Sequence, residues 1–173
     1  QGDDCTISHY SVCDGKPVFD ELEAGTFTPL ETIRAAIALG LKRGTRLIAV
    51  EGVAYQSTLL FWFDHYCEQE GISGFYFVEL SPKGQAKNNR IKRGLLQLLK
   101  GEILLHSSIR SKVLTQIMEW NPLKINNTDD VIDPIGYVDE ILQEYPELIV
   151  KSIFDVDSEP TESAHADTLT LPF

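Results

Sequence analysis

The stretch from Arg46 to Leu80 constrains this chain more than any other, because it reads as strand, helix and strand with short connections. Leu47-Ile48-Ala49-Val50 is an unbroken apolar run, the pattern of a parallel strand covered on both faces, and it closes on an acid, Glu51. From Tyr55 to Glu70 the spacing turns helical, with Leu59, Leu60, Phe63, Tyr66 and Cys67 on one face and Gly71 as the stop. Phe75 to Leu80 supplies a second strand. Strands joined through a helix lie parallel with a right-handed crossover, so the chain is α/β.

The flanks extend this unit. Cys5 to Val12 and Pro17 to Leu22, either side of Asp14-Gly15-Lys16, predict a β-hairpin. Thr28-Pro29-Leu30-Glu31 is a capping box with proline at the first helical position, and Leu30, Ile33, Ile37 and Leu41 follow at helical spacing up to Gly44. After the second strand come a basic helix from about Ala86 to Leu99 and a short strand within Glu102 to His106. Two further helices follow, near Ser111 to Trp120 and from Asp130 or Pro134 to Glu144. From Asp155 onward there are five acids and neither Lys nor Arg, which predicts one domain over 1–154 and a disordered or draped tail over 155–173.

At 173 residues and 43% hydrophobic the chain can bury a core as one domain, while its longest apolar runs are too short to span a membrane. Its first residues show no secretory signal, and Cys5, Cys13 and Cys67 have no CxxC spacing, which points to a reducing, intracellular compartment. A net charge of −11 would repel nucleic acid if it were evenly spread. It is not: Lys83, Lys87, Arg90, Lys92, Arg93, Lys100, Arg110 and Lys112 stand against the single acid Glu102. Such an island either orients a polyanion or is a solvated helix face.

Two groups of acids are candidates for chemistry. Glu51 ends a buried parallel strand, where open α/β sheets hold ligands, although strand-end acids also point simply to water. Asp129, Asp130 and Asp133 crowd the start of the late helix, where Asp130 and Asp133 share a face if the helix has begun. They serve either as a cap and dipole partners, or as ligands of a hard cation that relieves their repulsion. His9, His65, His106 and His165 lack zinc spacing, and no GxxxxGK[ST] phosphate loop is present. Trp62 and Trp120 suit core or interface positions, and Phe61, Trp62 and Phe63 cannot all face one core.

The order of hairpin, helix, Val50-Glu51-Gly52, a helix opening Ala54-Tyr55-Gln56, a strand ending near Ser81-Pro82, Lys87 to Ile91 as Lys-x-x-Arg-Ile, and Asp129-Asp130-Val131-Ile132-Asp133 resembles one family. It is the C-terminal nuclease domain of the large terminase subunit of tailed bacteriophages, and the likeness runs from Asp4 to about Tyr145. The resemblance implies an RNase H-like mixed sheet flanked by helices, and a two-metal endonuclease that cuts concatemeric DNA during packaging. It implies Glu51, Asp130 and Asp133 as catalytic acids, with Asp129 a further candidate ligand of Mg²⁺ or Mn²⁺; members differ on which late acid is used. Gln56, Lys83, Lys87, Arg90, Lys92 and Arg93 are the implied DNA contacts. The implied partners are double-stranded DNA, an upstream ATPase domain, the small terminase subunit and the portal, in the host cytoplasm at the procapsid and without a membrane.

Two departures accompany the resemblance. Asp4-Cys5-Thr6 matches the segment after the family's first metal-binding aspartate, so the central strand carrying that aspartate is expected upstream of this chain. The chain alone is then expected to bind metal weakly and cut poorly or not at all. Pro134 stands where the family has a small residue, which pushes the helix start toward Asp130 or Asp133. The alternatives are another RNase H-like nuclease such as a resolvase, or a non-catalytic module docking DNA or protein.

Overall fold

The structure is a computed structural model and describes residues 5–52, 57–81, 86–124, 127–148 and 169–172. It is a mixed α/β fold whose described residues form a six-stranded sheet in the order β4-β3-β6-β1-β2-β5. β1 (Cys5–Cys13) and β2 (Lys16–Gly25) are the expected antiparallel hairpin. Its turn is set by Asp14 and Gly15, both at positive φ. β3 (Leu47–Glu51) and β4 (Tyr76–Leu80) pair in parallel across the crossover helix α2 (Ser57–Glu70). α1 (Pro29–Arg43) carries the capping box: the Thr28 hydroxyl accepts from Glu31 N, and the Glu31 carboxylate accepts from Thr28 N at 2.7 Å. It ends at Gly44 in the left-handed region, where a side chain would be strained.

α3 (Lys87–Leu99), the two-residue β5 (Leu104–Leu105), α4 (Ser107–Glu119), a 3-10 turn (Asp133–Tyr137), α5 (Val138–Glu144) and β6 (Leu169–Pro172) complete the described elements. α4 starts one turn before the position read from the sequence, because the His106 side chain caps it by accepting from Ser108 N. The late helix opens instead as a 3-10 turn with Pro134 in its first turn. Leu169–Pro172 fall in the stretch read as a disordered tail, yet they form β6, antiparallel to β1 and parallel to β3.

Strand alternation sorts the core into two layers. Ile7, Ile48 and Val50 pack toward α1 and α2 with Ile33, Ile37 and Phe63. Tyr10, Leu47, Ala49 and Leu80 face the other way, against Ile91, Val113, Ile132, Ile135 and Ile141. The same alternation turns Glu51 to the second face, toward α3 and the 3-10 turn. Phe63 is fully buried, while its neighbours Phe61 and Trp62 stay exposed. Among the described residues no helix is long and apolar enough to cross a membrane.

Candidate functional site

Glycine lets α3 lie directly on the 3-10 turn. A Cβ on Gly94 would come within 2.8 Å of the Gly136 nitrogen and the Ile135 carbonyl, and one on Gly136 within 2.8 Å of the Arg90 carbonyl oxygen. This close approach buries Arg90 to 3% exposure and stacks its guanidinium 4.0 Å from the centre of the Tyr137 ring. Gln116 of α4 fixes the loop leading into the turn, since its Oε1 accepts from Val131 N at 2.7 Å and Ile132 N at 2.9 Å. The Asp129 carbonyl then accepts from Ile132 N and Asp133 N, winding Asp129 and Asp133 into a single turn.

The acids meet there. Arg90 donates through Nη2 to both oxygens of Asp133, at 2.8 and 2.9 Å, and through Nε at 3.1 Å. The same Nη2 reaches Glu51 Oε1 at 3.2 Å, and the Tyr137 hydroxyl also donates to that oxygen. Lys87 Nζ lies 2.7 Å from Asp129 and 3.4 Å from Asp133. Three carboxylates therefore share two cations at the carboxyl end of β3. The Glu51 side chain keeps 19% of its exposure and Lys87 keeps 49%, so the cluster opens to solvent on one side.

The shifts in proton affinity follow from this packing. Burial pushes the Asp133 carboxyl above its usual range; Arg90 and Lys87 oppose that rise, and the charge of Glu51 adds to it. Burial favours a neutral Lys87, but the hydrogen bond to Asp129 and the charges of Asp133 and Asp129 outweigh it and raise its pKa. Burial and the Glu51 contact raise the Tyr137 hydroxyl, which stays protonated and able to donate.

Of the residues singled out in the sequence, Glu51, Asp129, Asp133, Lys87 and Arg90 come together. On Lys87 it is Asp129 and Asp133, four residues apart, that converge. Asp130 is half-buried, and its charge acts on the Cys5 thiol, whose pKa is raised mainly by burial. Arg90 does not present itself to solvent as a phosphate contact but lies inside the cluster, and Arg93 donates to the Gly136 carbonyl. Lys92 is exposed, and Gln56 and Lys83 lie outside the described residues. The sequence reading missed Tyr137 and Gln116. The spacing of Lys87, Arg90 and Gly94, a single helix face, was the available sign that the basic helix turns inward.

A second buried hydrogen-bonded cluster lies on the opposite face. His9 hydrogen-bonds Asp20 through Nδ1 and Thr45 Oγ1 at 2.8 Å through Nε2. Asp20 reaches it because it is the extra residue of a β-bulge, where His9 pairs with Glu21 and Tyr10 with Phe19. Compared with models of known protein families and with curated proteins, the chain gives no match.

Proposed function

We propose that this chain is an RNase H-like, metal-dependent DNA endonuclease of the terminase large-subunit type, which hydrolyses phosphodiesters of concatemeric viral DNA during packaging. The observation that carries the reading is that Glu51 and Asp133, from opposite halves of the chain, meet on one Arg90 nitrogen at the carboxyl end of a parallel strand pair. The strand layout supports it: an antiparallel hairpin lies beside a parallel βαβ pair, and β6 holds the place between them where the resemblance puts a first strand.

Glu51, Asp133 and Asp129 would hold Mg²⁺ or Mn²⁺, since carboxylates are the hard oxygen donors these ions take and the three acids exceed their two cations by one charge. Among the described residues no group of three or more such ligands already encloses a common point, so the fit is one of donor chemistry and charge. Bound ions would activate a water and stabilise the leaving 3′-oxygen. The chain's own residues do the positioning. Arg90 holds both carboxylates, and the Tyr137 hydroxyl fixes the orientation of Glu51. Half-exposed Lys87 and exposed Lys92 offer charge to phosphates without reading bases. Double-stranded DNA, an ATPase domain, the small subunit and the portal are the partners this reading carries.

Mn²⁺-dependent nicking of supercoiled plasmid, run beside Glu51→Gln, tests it. Slow nicking that requires metal and falls at least a hundredfold in the variant is expected. Nicking that persists in Glu51→Gln, or needs no metal, contradicts it. One observation favours a second reading, a module that docks DNA without cutting it: Arg90 and Lys87 already neutralise most of the acidic charge. DNA binding that is unaffected by chelator and by Glu51→Gln, with no nicking, would select that reading.

A further inference from the structure

A groove of about 430 Å³ lies between α3 and α4 at the β5 edge of the sheet, toward the end of α3 away from Lys87 and Arg90. It forms because the two helices pack on other elements. α3 lies on the 3-10 turn and α4 on β2, while the strand between them is only two residues long. β5 pairs with β2, and its outer edge meets no strand among the described residues.

Leucine lines this groove. Leu95, Leu98 and Leu99 of α3 and Leu114 and Ile117 of α4 form a row at helical spacing on each wall, with Leu104 of β5 between them. Leu99 is 83% exposed, Leu114 41% and Leu104 38%, an apolar surface that is costly to leave in water. The rim has the opposite character. Arg110 also lines the groove, and among the described residues it makes neither a hydrogen bond nor an ion pair. Lys16 is held at the edge by donating to the Gly101 carbonyl at 2.8 Å, and Lys100 stands 4.0 Å from Glu102. Arg110, Lys16 and Lys100 thus stand against Glu102, the reverse of a chain that carries 26 acids and 15 bases.

We propose that the groove between α3 and α4 docks an acidic amphipathic helix of another protein. The walls set the shape of the ligand: two helical ridges with a gap between them receive a third helix whose apolar residues recur at i, i+3, i+4 and i+7. The rim sets its charge. Glu and Asp beside the apolar stripe would meet Arg110, Lys16 and Lys100, whereas the rest of this acidic chain repels them, so the charge pattern steers such a helix to this face. Nucleic acid brings phosphates to the rim but no side chains to fill a leucine floor, and a flat lipid surface does not fill a concave groove. A second copy of the chain, related by a two-fold axis, would set the same cations against one another. The proposal does not depend on the nuclease reading.

The test uses the full chain and a fluorescent peptide, Glu-Leu-Glu-Asp-Leu-Leu-Glu-Glu-Leu-Ala-Glu-Gly, beside a control in which every leucine is replaced by serine. Anisotropy follows binding, and amide chemical shifts locate it. Expected are saturable one-to-one binding of the first peptide alone, and shifts centred on Leu95 to Leu99 and Arg110 to Ile117. Leu99→Asp and Arg110→Glu, both at exposed positions, should each weaken binding at least tenfold. Lys112→Glu makes the same change of charge on another face of α4 and should move the affinity less than twofold. No saturable binding to the unaltered chain overturns the proposal, as does a loss in Lys112→Glu equal to that in Arg110→Glu, the mark of general charge attraction. Phosphatidylserine vesicles that bind through Leu99 while the peptide does not would assign the face to a membrane and overturn it too. Neither readout involves metal or DNA cleavage, so failure here and failure of the nuclease reading are separate results.

Discussion

The sheet carries a hydrogen-bonded polar cluster on each face, and the two differ in access. On the α1 side His9 and Thr45 have no exposure and Asp20 has 9%, so each group is satisfied by another protein group and sealed in. On the α3 side the Glu51, Arg90 and Asp133 network is as closely bonded, but Glu51 and Lys87 keep a solvent-facing edge. Both clusters offset the cost of burying polar atoms with hydrogen bonds. Only the open one can exchange a partner for a ligand. An acid beside a basic group is therefore a weak sign of function until its access is known.

Removing the centre of the open cluster should have the largest effect. Arg90→Ala leaves Asp133 and Glu51 facing each other without their shared cation, and a loss of about 3–5 kcal/mol is expected, read by urea denaturation. A loss near zero would mean that the acids relax into solvent and that the cluster is not one unit. Gly136→Ala comes next. The added methyl pushes the 3-10 turn off α3, with an expected cost of about 1–3 kcal/mol, and loosens the Arg90–Asp133 contact without touching either residue.

Thr45→Val sharpens the comparison from the sealed side. It leaves His9 Nε2 unpaired and should cost about 1–3 kcal/mol, while Mn²⁺ binding and any nicking stay unchanged. An effect of Thr45→Val on metal binding would show the two faces to be coupled.

The smallest effect is electrostatic. Lys87 has a raised pKa in the fold, so its stabilising contribution is complete below its unfolded value and is lost as pH rises through the folded one. Lys87→Met should flatten part of the stability loss above about pH 10, and the change should be small because the ammonium is half exposed and screened. Asp133 has the opposite consequence. An acid whose folded pKa is raised contributes a cost that is absent below its unfolded pKa and complete above the folded one.

The elements legible in the sequence were those set by local signals: the hairpin by its turn, α1 by its capping box, and β3, α2 and β4 by apolar periodicity. Glu51 was legible because it interrupts an apolar run at a strand end. What was not legible depends on distant partners. Arg90 reads as a surface base until two glycines bring the 3-10 turn against it. His9 and Asp20 become neighbours only through a bulge that alternation does not reveal. β6 is four residues inside an acid-rich stretch, and it gains its order from the two strands that accept it.

The most direct test of the open cluster is Mn²⁺ titration followed by paramagnetic broadening of backbone amide signals. Broadening that starts at Glu51, Asp129 and Asp133 and is lost in both Glu51→Gln and Asp133→Asn is the expected result. Broadening that begins elsewhere on this acidic chain, or that survives both substitutions, would contradict the claim that these acids form a metal site.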